Sequence, residues 1–272
     1  MAIDSSLFMA DIPAGTYAVG DVVQLNIKAG PAIVRSGRGA ANLKRLTVGL
    51  IGNASGSVSS WKIRVKNSDW IDPMVSATVS LLEPTALDER TGAVQRGNNC
   101  PMTPNSAWQV EAVCVQAATT TVANSIYALI DVDYPAVSAI IDPDACDGIP
   151  TTIELGISQT INGYALGGSS AASWNIVNTD IFKAGFVYAL QKIEMFGMSA
   201  VGFIALTNAA GMGGLCRIIP VAPTSASIRN KIEYATKLVK GPMDIQFLLF
   251  ANSGTAITGN PQLLLDFVKR RA

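Results

Sequence analysis

The final apolar pair of segments in this 272-residue chain repeats a pair near its middle, and that repetition constrains the fold more than any other feature. The run from Val110 to Tyr134 aligns without a gap on the run from Ile245 to Lys269, at an offset of 135 residues, about half the chain. VEAVCVQ faces IQFLLFA, ATTTVANS faces SGTAITGN, and ALIDVDY faces LLLDFVK. Thr120/Thr255, Leu129/Leu264 and Asp131/Asp266 are identities in that register. The pattern predicts two copies of one unit, with Asp131 and Asp266 at equivalent positions near the ends of their last strands.

Short strands fill both copies. Trp61, Ile63 and Val65 alternate with Lys62, Arg64 and Lys66, which predicts a strand with one buried face and one basic face. Val23, Leu25 and Ile27 alternate in the same way with Gln24, Asn26 and Lys28. Further strands are expected at Lys44 to Leu50, Met74 to Leu82, Val110 to Gln116 and Ile126 to Tyr134. The second half offers Ile153 to Ile157, Ser173 to Val177, Phe186 to Phe196, Gly202 to Thr207, Cys216 to Val221, Ile245 to Ala251 and Leu263 to Val268. Turn-forming clusters such as GNASGS and NSGT separate them. One helix per half is expected before the final strand pair, at Pro84 to Arg96 and at Ser227 to Lys240. In the latter, Ile228, Ile232, Ala235 and Val239 recur at helical spacing. Prolines 135, 143 and 150 break any ladder or helix between the halves. The expected division is residues 1–136, a proline-rich linker at 137–150, and residues 151–272, each unit an all-β antiparallel sandwich or jelly roll.

Histidine is absent, which removes the commonest general base and the nucleophilic dyads built on it. No enzymatic activity and no cofactor are expected. The pairs Asp131/Asp133 and Asp88/Glu89 are read as solvated surface carboxylates, GMGGL (Gly211 to Leu215) as a hairpin turn, and RSGRG (Arg35, Gly37, Arg38, Gly39) as an exposed loop, with a phosphate or an acidic neighbour as the alternative partner of its arginines. Asp142, Asp144 and Asp147 are the candidate cation ligands, although the glycine and glutamate of a calcium loop are out of place around them. Cys100, Cys114, Cys146 and Cys216 lack metal-type spacing and are read as free thiols, with Cys114 in a core. Trp70, Trp108 and Trp174 are the aromatics that a carbohydrate-binding surface would have to use.

Charged residues make up only 15% of the chain and cancel to zero, so strong attraction to nucleic acid is not expected. The opening MAIDSSLFMADIP has neither the basic start of a secretory signal nor a basic arm, which points to synthesis in a cytoplasm. The uncharged windows Leu155 to Thr179 and Met195 to Cys216 are too rich in Gly, Ser, Thr and Asn to span a bilayer as helices. A surface of small uncharged residues packs on neighbours without large desolvation costs.

Tandem β units, a proline-rich joint, low charge and this length together resemble the double jelly-roll major capsid proteins of tailless, often membrane-containing double-stranded DNA viruses and phages. The likeness covers the whole chain as architecture. It implies a virion protein that forms trimers of pseudo-hexagonal outline and tiles an icosahedral shell, with itself and other virion proteins as partners. It also implies termini toward the interior, where Lys269, Arg270 and Arg271 would meet an internal lipid membrane. The alternatives are another virion component, such as a decoration, tail or fibre protein, and a tandem carbohydrate-binding sandwich.

Overall fold

The computed structural model describes residues 2–36, 39–51, 59–79, 101–134, 149–156, 161–165, 167–196, 201–207, 217–221, 237–240, 242–251 and 262–271. These residues form an antiparallel β protein with no helix among them.

In the first half, β1 (Ala2–Ile12), β3 (Val22–Ala29), β4 (Ala41–Ile51), β5 (Ser60–Asn67), β6 (Met74–Val79), β7 (Pro101–Met102), β8 (Trp108–Gln116) and β10 (Asn124–Tyr134) form one curled sheet in the order β6-β5-β8-β3-β1-β10-β4-β7. A short ribbon pairs β2 (Gly15–Tyr17) with β9 (Ala118–Thr120). Alternation decides what the curl encloses. Phe8, Ala10 and Ile12 of β1 share one core with Ile126, Ala128, Ile130 and Val132 of β10, Leu46, Val48 and Leu50 of β4, Trp61, Ile63 and Val65 of β5, and Val110 and Ala112 of β8. The Trp61 indole also donates to Ser59 Oγ at 2.9 Å and meets the Tyr17 ring edge-on at 5.2 Å, so its burial leaves no orphaned N–H.

In the second half, β11 (Ile149–Gly156), β19 (Gln262–Arg271), β14 (Phe186–Phe196) and β17 (Lys237–Lys240) form one sheet in that order. Another is built on β18 (Met243–Ala251), which pairs with β13 (Asn175–Phe182) on one side and with β15 (Val201–Thr207) on the other, β15 in turn pairing with β16 (Arg217–Val221). The small β12 (Gly163–Ala165) runs parallel to β18.

The strand orders of the two halves share a pattern, although β1 also pairs with β3 and no such pairing joins β11 to β13 among the described residues. β1-β10-β4-β7 matches β11-β19-β14-β17, and β3-β8-β5-β6 matches β13-β18-β15-β16. Register agrees as well. Asp131 lies opposite Ser5 and Arg45, and Asp266 lies opposite Thr152 and Lys192. Each half carries a bulge on the same rung: Lys44 is the extra residue facing Asp131/Val132, and Gln191 the extra residue facing Asp266/Phe267.

Several elements differ from the sequence reading. Lys237–Lys240, expected as the end of a helix, is strand β17, because it lies along the free edge of β14 and meets its backbone hydrogen bonds there. The rest of that stretch, 227–236, and the first-half counterpart at 84–96 lie outside the described residues. Ile149 and Pro150, assigned to the linker, already belong to β11, an edge strand where a proline costs no ladder bond. The opening segment is a full strand, β1, and β13 runs on to Phe182. Ile27 is exposed, since β3 bulges between its partners to Leu7 and Phe8 and loses its alternation.

Burial on β5 follows the expected alternation: Trp61, Ile63 and Val65 are fully enclosed while Lys66 is open to solvent. Trp61→Ala is therefore expected to lower stability by about 3 to 5 kcal/mol, and Lys62→Ala by less than about 0.5 kcal/mol. Equal shifts in denaturant midpoint for the two variants would show that β5 does not hold this register.

Candidate functional site

The central strands β1, β10 and β4 are covered on both faces, and their outer face is where the second half docks. Leu7 and Met9 of β1, Tyr127 and Leu129 of β10 and Ile51 of β4 form one apolar cluster with Phe203 and Ala205 of β15, Leu248 and Phe250 of β18 and Ile218 of β16. Tyr127 sits opposite Met9 and Gly49. A Cβ on Gly49 would overlap the Tyr127 ring, so glycine at this rung lets the ring lie across β4. The ring then meets Phe203 edge-on, with centroids 5.1 Å apart.

One end of this seam is closed by a carboxylate. Asp11 Oδ1 accepts hydrogen bonds from Ser169 N at 2.7 Å, Ser169 Oγ at 2.6 Å and Ser125 Oγ at 3.2 Å, and Oδ2 accepts one from Ser170 N at 3.1 Å. Lys28 Nζ donates to the Ser169 carbonyl at 2.6 Å, and the Trp174 indole donates to the Lys28 carbonyl at 3.4 Å. Burial pushes the Asp11 carboxyl upward, but the hydrogen bonds from Ser169 and Ser170 outweigh it and hold the group below the ordinary aspartate value. Burial lowers the Lys28 ammonium, with Asp11 and Tyr164 acting in the other direction.

The opposite end is polar. Asp131 accepts from Ser5 Oγ at 2.6 Å and pairs with Arg45, whose Nη2 lies 3.0 Å away. Asp133, on the same face, has its carboxyl pushed up by burial, with Lys44 pulling the other way. These two aspartates were expected in solvent. They are buried, on the same face of β10 as Tyr127 and Leu129, which is covered rather than wet.

Other sequence candidates have different fates. Asp142, Asp144 and Asp147 lie outside the described residues, as do Asp88, Glu89, Gly37, Arg38, the GMGGL stretch, Cys100, Cys146 and Cys216. Arg35 is not an exposed loop cation: it turns inward and pairs with the buried Asp4. Cys114 is a buried free thiol, raised by burial. Lys269, Arg270 and Arg271 lie on β19, where Lys269 is in register with Ile149 and Tyr188. Trp70 packs edge-on against Trp108 at 5.6 Å and Trp174 joins the seam, so these rings are used in packing. Among the described residues no cluster of three metal-type ligands occurs, and no helix is long and apolar enough to cross a membrane. The seam itself, with Asp11, Gly49 and Tyr127 as its positioning residues, was invisible to sequence reasoning except for the glycine inside a strand pattern.

No protein-family model and no curated protein sequence matches the chain. Among solved structures, the chain is similar to an asymmetric unit of the human norovirus GI.7 Houston strain virus-like particle, in T=3 symmetry, at 9% identity and a TM-score of 0.24, over 95% of this chain and 64% of that one. The infectious bursal disease virus VP2 subviral particle gives 10% identity and a TM-score of 0.20, over 99% and 67% of the two chains. The structure of the Gx strain of infectious bursal disease virus gives 10% identity and a TM-score of 0.18, over 100% and 67%. The chain thus spans about two thirds of the length of each, and none of the three superpositions reaches the level of a shared fold.

The Asp11 carboxylate makes the seam sensitive to acid. A carboxyl held below its unfolded value contributes stability that is complete above the unfolded pKa and is lost as pH falls through the folded one. Asp11→Asn is expected to lower stability at neutral pH by about 1 to 2 kcal/mol, a figure reduced for partial exposure. It should also flatten the decline of melting temperature between neutral and acid pH. A variant whose pH profile parallels that of the parent protein would rule out this role.

Proposed function

We propose that this protein is a viral structural protein, a major capsid protein built from two tandem jelly rolls that trimerises and tiles an icosahedral shell in the virion. The observation that carries the reading is the pairing scheme. A jelly roll is an eight-stranded sandwich in which the first strand pairs with the last, and two four-stranded sheets interleave strands distant in sequence. That order, read as first-last-third-sixth and second-seventh-fourth-fifth, is followed by β1-β10-β4-β7 with β3-β8-β5-β6, which the β1-β3 pairing joins into one curled sheet, and by β11-β19-β14-β17 with β13-β18-β15-β16, which stay two sheets. In this reading the two units stack in series, a reading supported by the apolar cluster that first- and second-half strands share, so one chain would supply two similar building blocks and three chains six. Asp4, Asp11 and Asp131 have structural partners, and the lack of histidine in the sequence fits a role without catalysis.

Shell formation needs repeated burial of standard-size interfaces. The purified protein is expected to form trimers or larger closed particles, seen by sedimentation velocity across a wide concentration range and by negative-stain electron microscopy. A monomer that persists at every concentration would overturn the shell-forming reading and return the chain to a solitary binding module.

A further inference from the structure

Asp131 and Asp133 stand two residues apart on one face of β10, and their surroundings treat them differently. Asp131 lies opposite Ser5 of β1 and Arg45 of β4 and is bonded to both. Asp133 lies opposite Ile3 and Asn42, and its Oδ1 is enclosed without a hydrogen-bond partner in a residue only 8% exposed. The bulge on β4 accounts for the contrast: Lys44 is the extra residue between the partners of Asp131 and Val132, so no cation stands on the rung that Asp133 occupies. An enclosed carboxyl oxygen without a donor is tolerable while the group keeps its proton and costly once it ionises. We propose that Asp133 is a proton-controlled catch for the end of β10, closed while the carboxyl is protonated and loosened when it ionises. β10 ends one residue further on, at Tyr134, so the catch lies where the chain leaves the first half. The proposal concerns the single chain and stands apart from the shell reading.

The charged groups around Asp133 leave this role to it alone. On its own strand, Asp131 is taken up by Ser5 and Arg45, and the Tyr134 hydroxyl turns to the inner face and accepts from Arg35 N. On β1, Ile3 is apolar, and Asp4 alternates to the other face, where it pairs with Arg35. On β4, Asn42 is uncharged, and β7 beyond it carries no charge. The second-half strands beside β1 are β16 and β17, whose sequences hold Arg217, Lys237 and Lys240 and no acidic residue. Burial pushes the Asp133 carboxyl above the ordinary aspartate value, and the attraction of Lys44 and of the amino terminus does not bring it back.

The sign is opposite to that of Asp11. A carboxyl held above its unfolded value costs nothing below the unfolded pKa. As pH rises past that value the unfolded chain ionises more readily than the folded one, and stability falls until the folded group has ionised too. Asp11, held below its ordinary value, contributes stability at neutral pH that acid removes. One fall in pH therefore frees Asp11 at one end of the seam and secures Asp133 at the other.

The test sets the two neighbouring aspartates against each other in the full chain. Asp133→Asn is expected to melt at least about 2 °C above the parental protein at pH 7.5, with the gain shrinking as pH falls to about 4. Asp131→Asn is expected to melt below the parental protein at pH 7.5, because Arg45 loses its counter-charge. In hydrogen exchange corrected for the intrinsic effect of pH, parental peptides covering Ala2 to Ser6 and Val132 to Tyr134 should open more readily at pH 7.5 than at pH 5. Asp133→Asn should slow that exchange at pH 7.5 by about threefold or more. If Asp133→Asn fails to fold, Asp133→Leu removes the same charge at similar volume, with the same gain expected. A variant no more stable than the parental protein at pH 7.5 overturns the catch. So does a gain that is equal at every pH, since that is a packing effect and not a proton effect. Neither reading depends on association, so a chain that stays monomeric overturns the shell reading and leaves this inference to its own result.

Discussion

Strand β10 is hydrogen-bonded along both edges and covered on both faces, and the rest of the chain is arranged around meeting those four demands. Its edges take β1 and β4, and its inner face takes the curled remainder of the first sheet. Its outer face is where the second half must come, because Tyr127 and Leu129 would otherwise stand in water. Burying large apolar side chains on both sides of one strand is worth on the order of 2 kcal/mol for each of them. That gain is available only if another sheet lies flat on the outer face.

Flat approach sets its own conditions, and the ends of the seam meet them differently. In the middle, Gly49 clears the space that the Tyr127 ring occupies. At one end, Asp11 gathers the backbone and hydroxyls of Ser169 and Ser170, so a segment of the second half is held by hydrogen bonds that an apolar contact could not direct. At the other end, Asp131 is satisfied within the first half by Ser5 and Arg45. Hydrophobic contact thus supplies attraction without orientation, and the Asp11 carboxylate at one edge supplies orientation.

Strands with one wet face were legible in the sequence, and strands with two dry faces were not. β5 declares itself because lysine and arginine alternate with Trp61, Ile63 and Val65. β1 carries Asp4 and Ser6 on the same face as Phe8, Ala10 and Ile12, while Leu7 and Met9 fill the other, so no period of two survives. The repeat between halves was legible because β8 and β10 keep the same spacing as β18 and β19. Its register with the earlier strands was not, since loops of different length separate them. Lys237–Lys240 reads as helix by spacing and is a strand by tertiary demand, because a bare edge of β14 outweighs local preference. The Asp11 latch joins residues 158 positions apart, a separation that no local pattern records.

That separation has a consequence for the order in which a ribosome could deliver this molecule. β1 emerges first and can pair early with β3, yet its second edge waits for β10, and Asp11 waits longer still for Ser169. At about 5 to 20 residues per second, several seconds pass in which a strand apolar on both sides has only one neighbour. Long-range closure of this kind is slow, and it leaves the nascent first unit open to pairing with whatever strand edge lies nearby. On a crowded polysome the nearest edge belongs to another copy of the same chain, so the timing of translation and the fidelity of self-recognition become one problem.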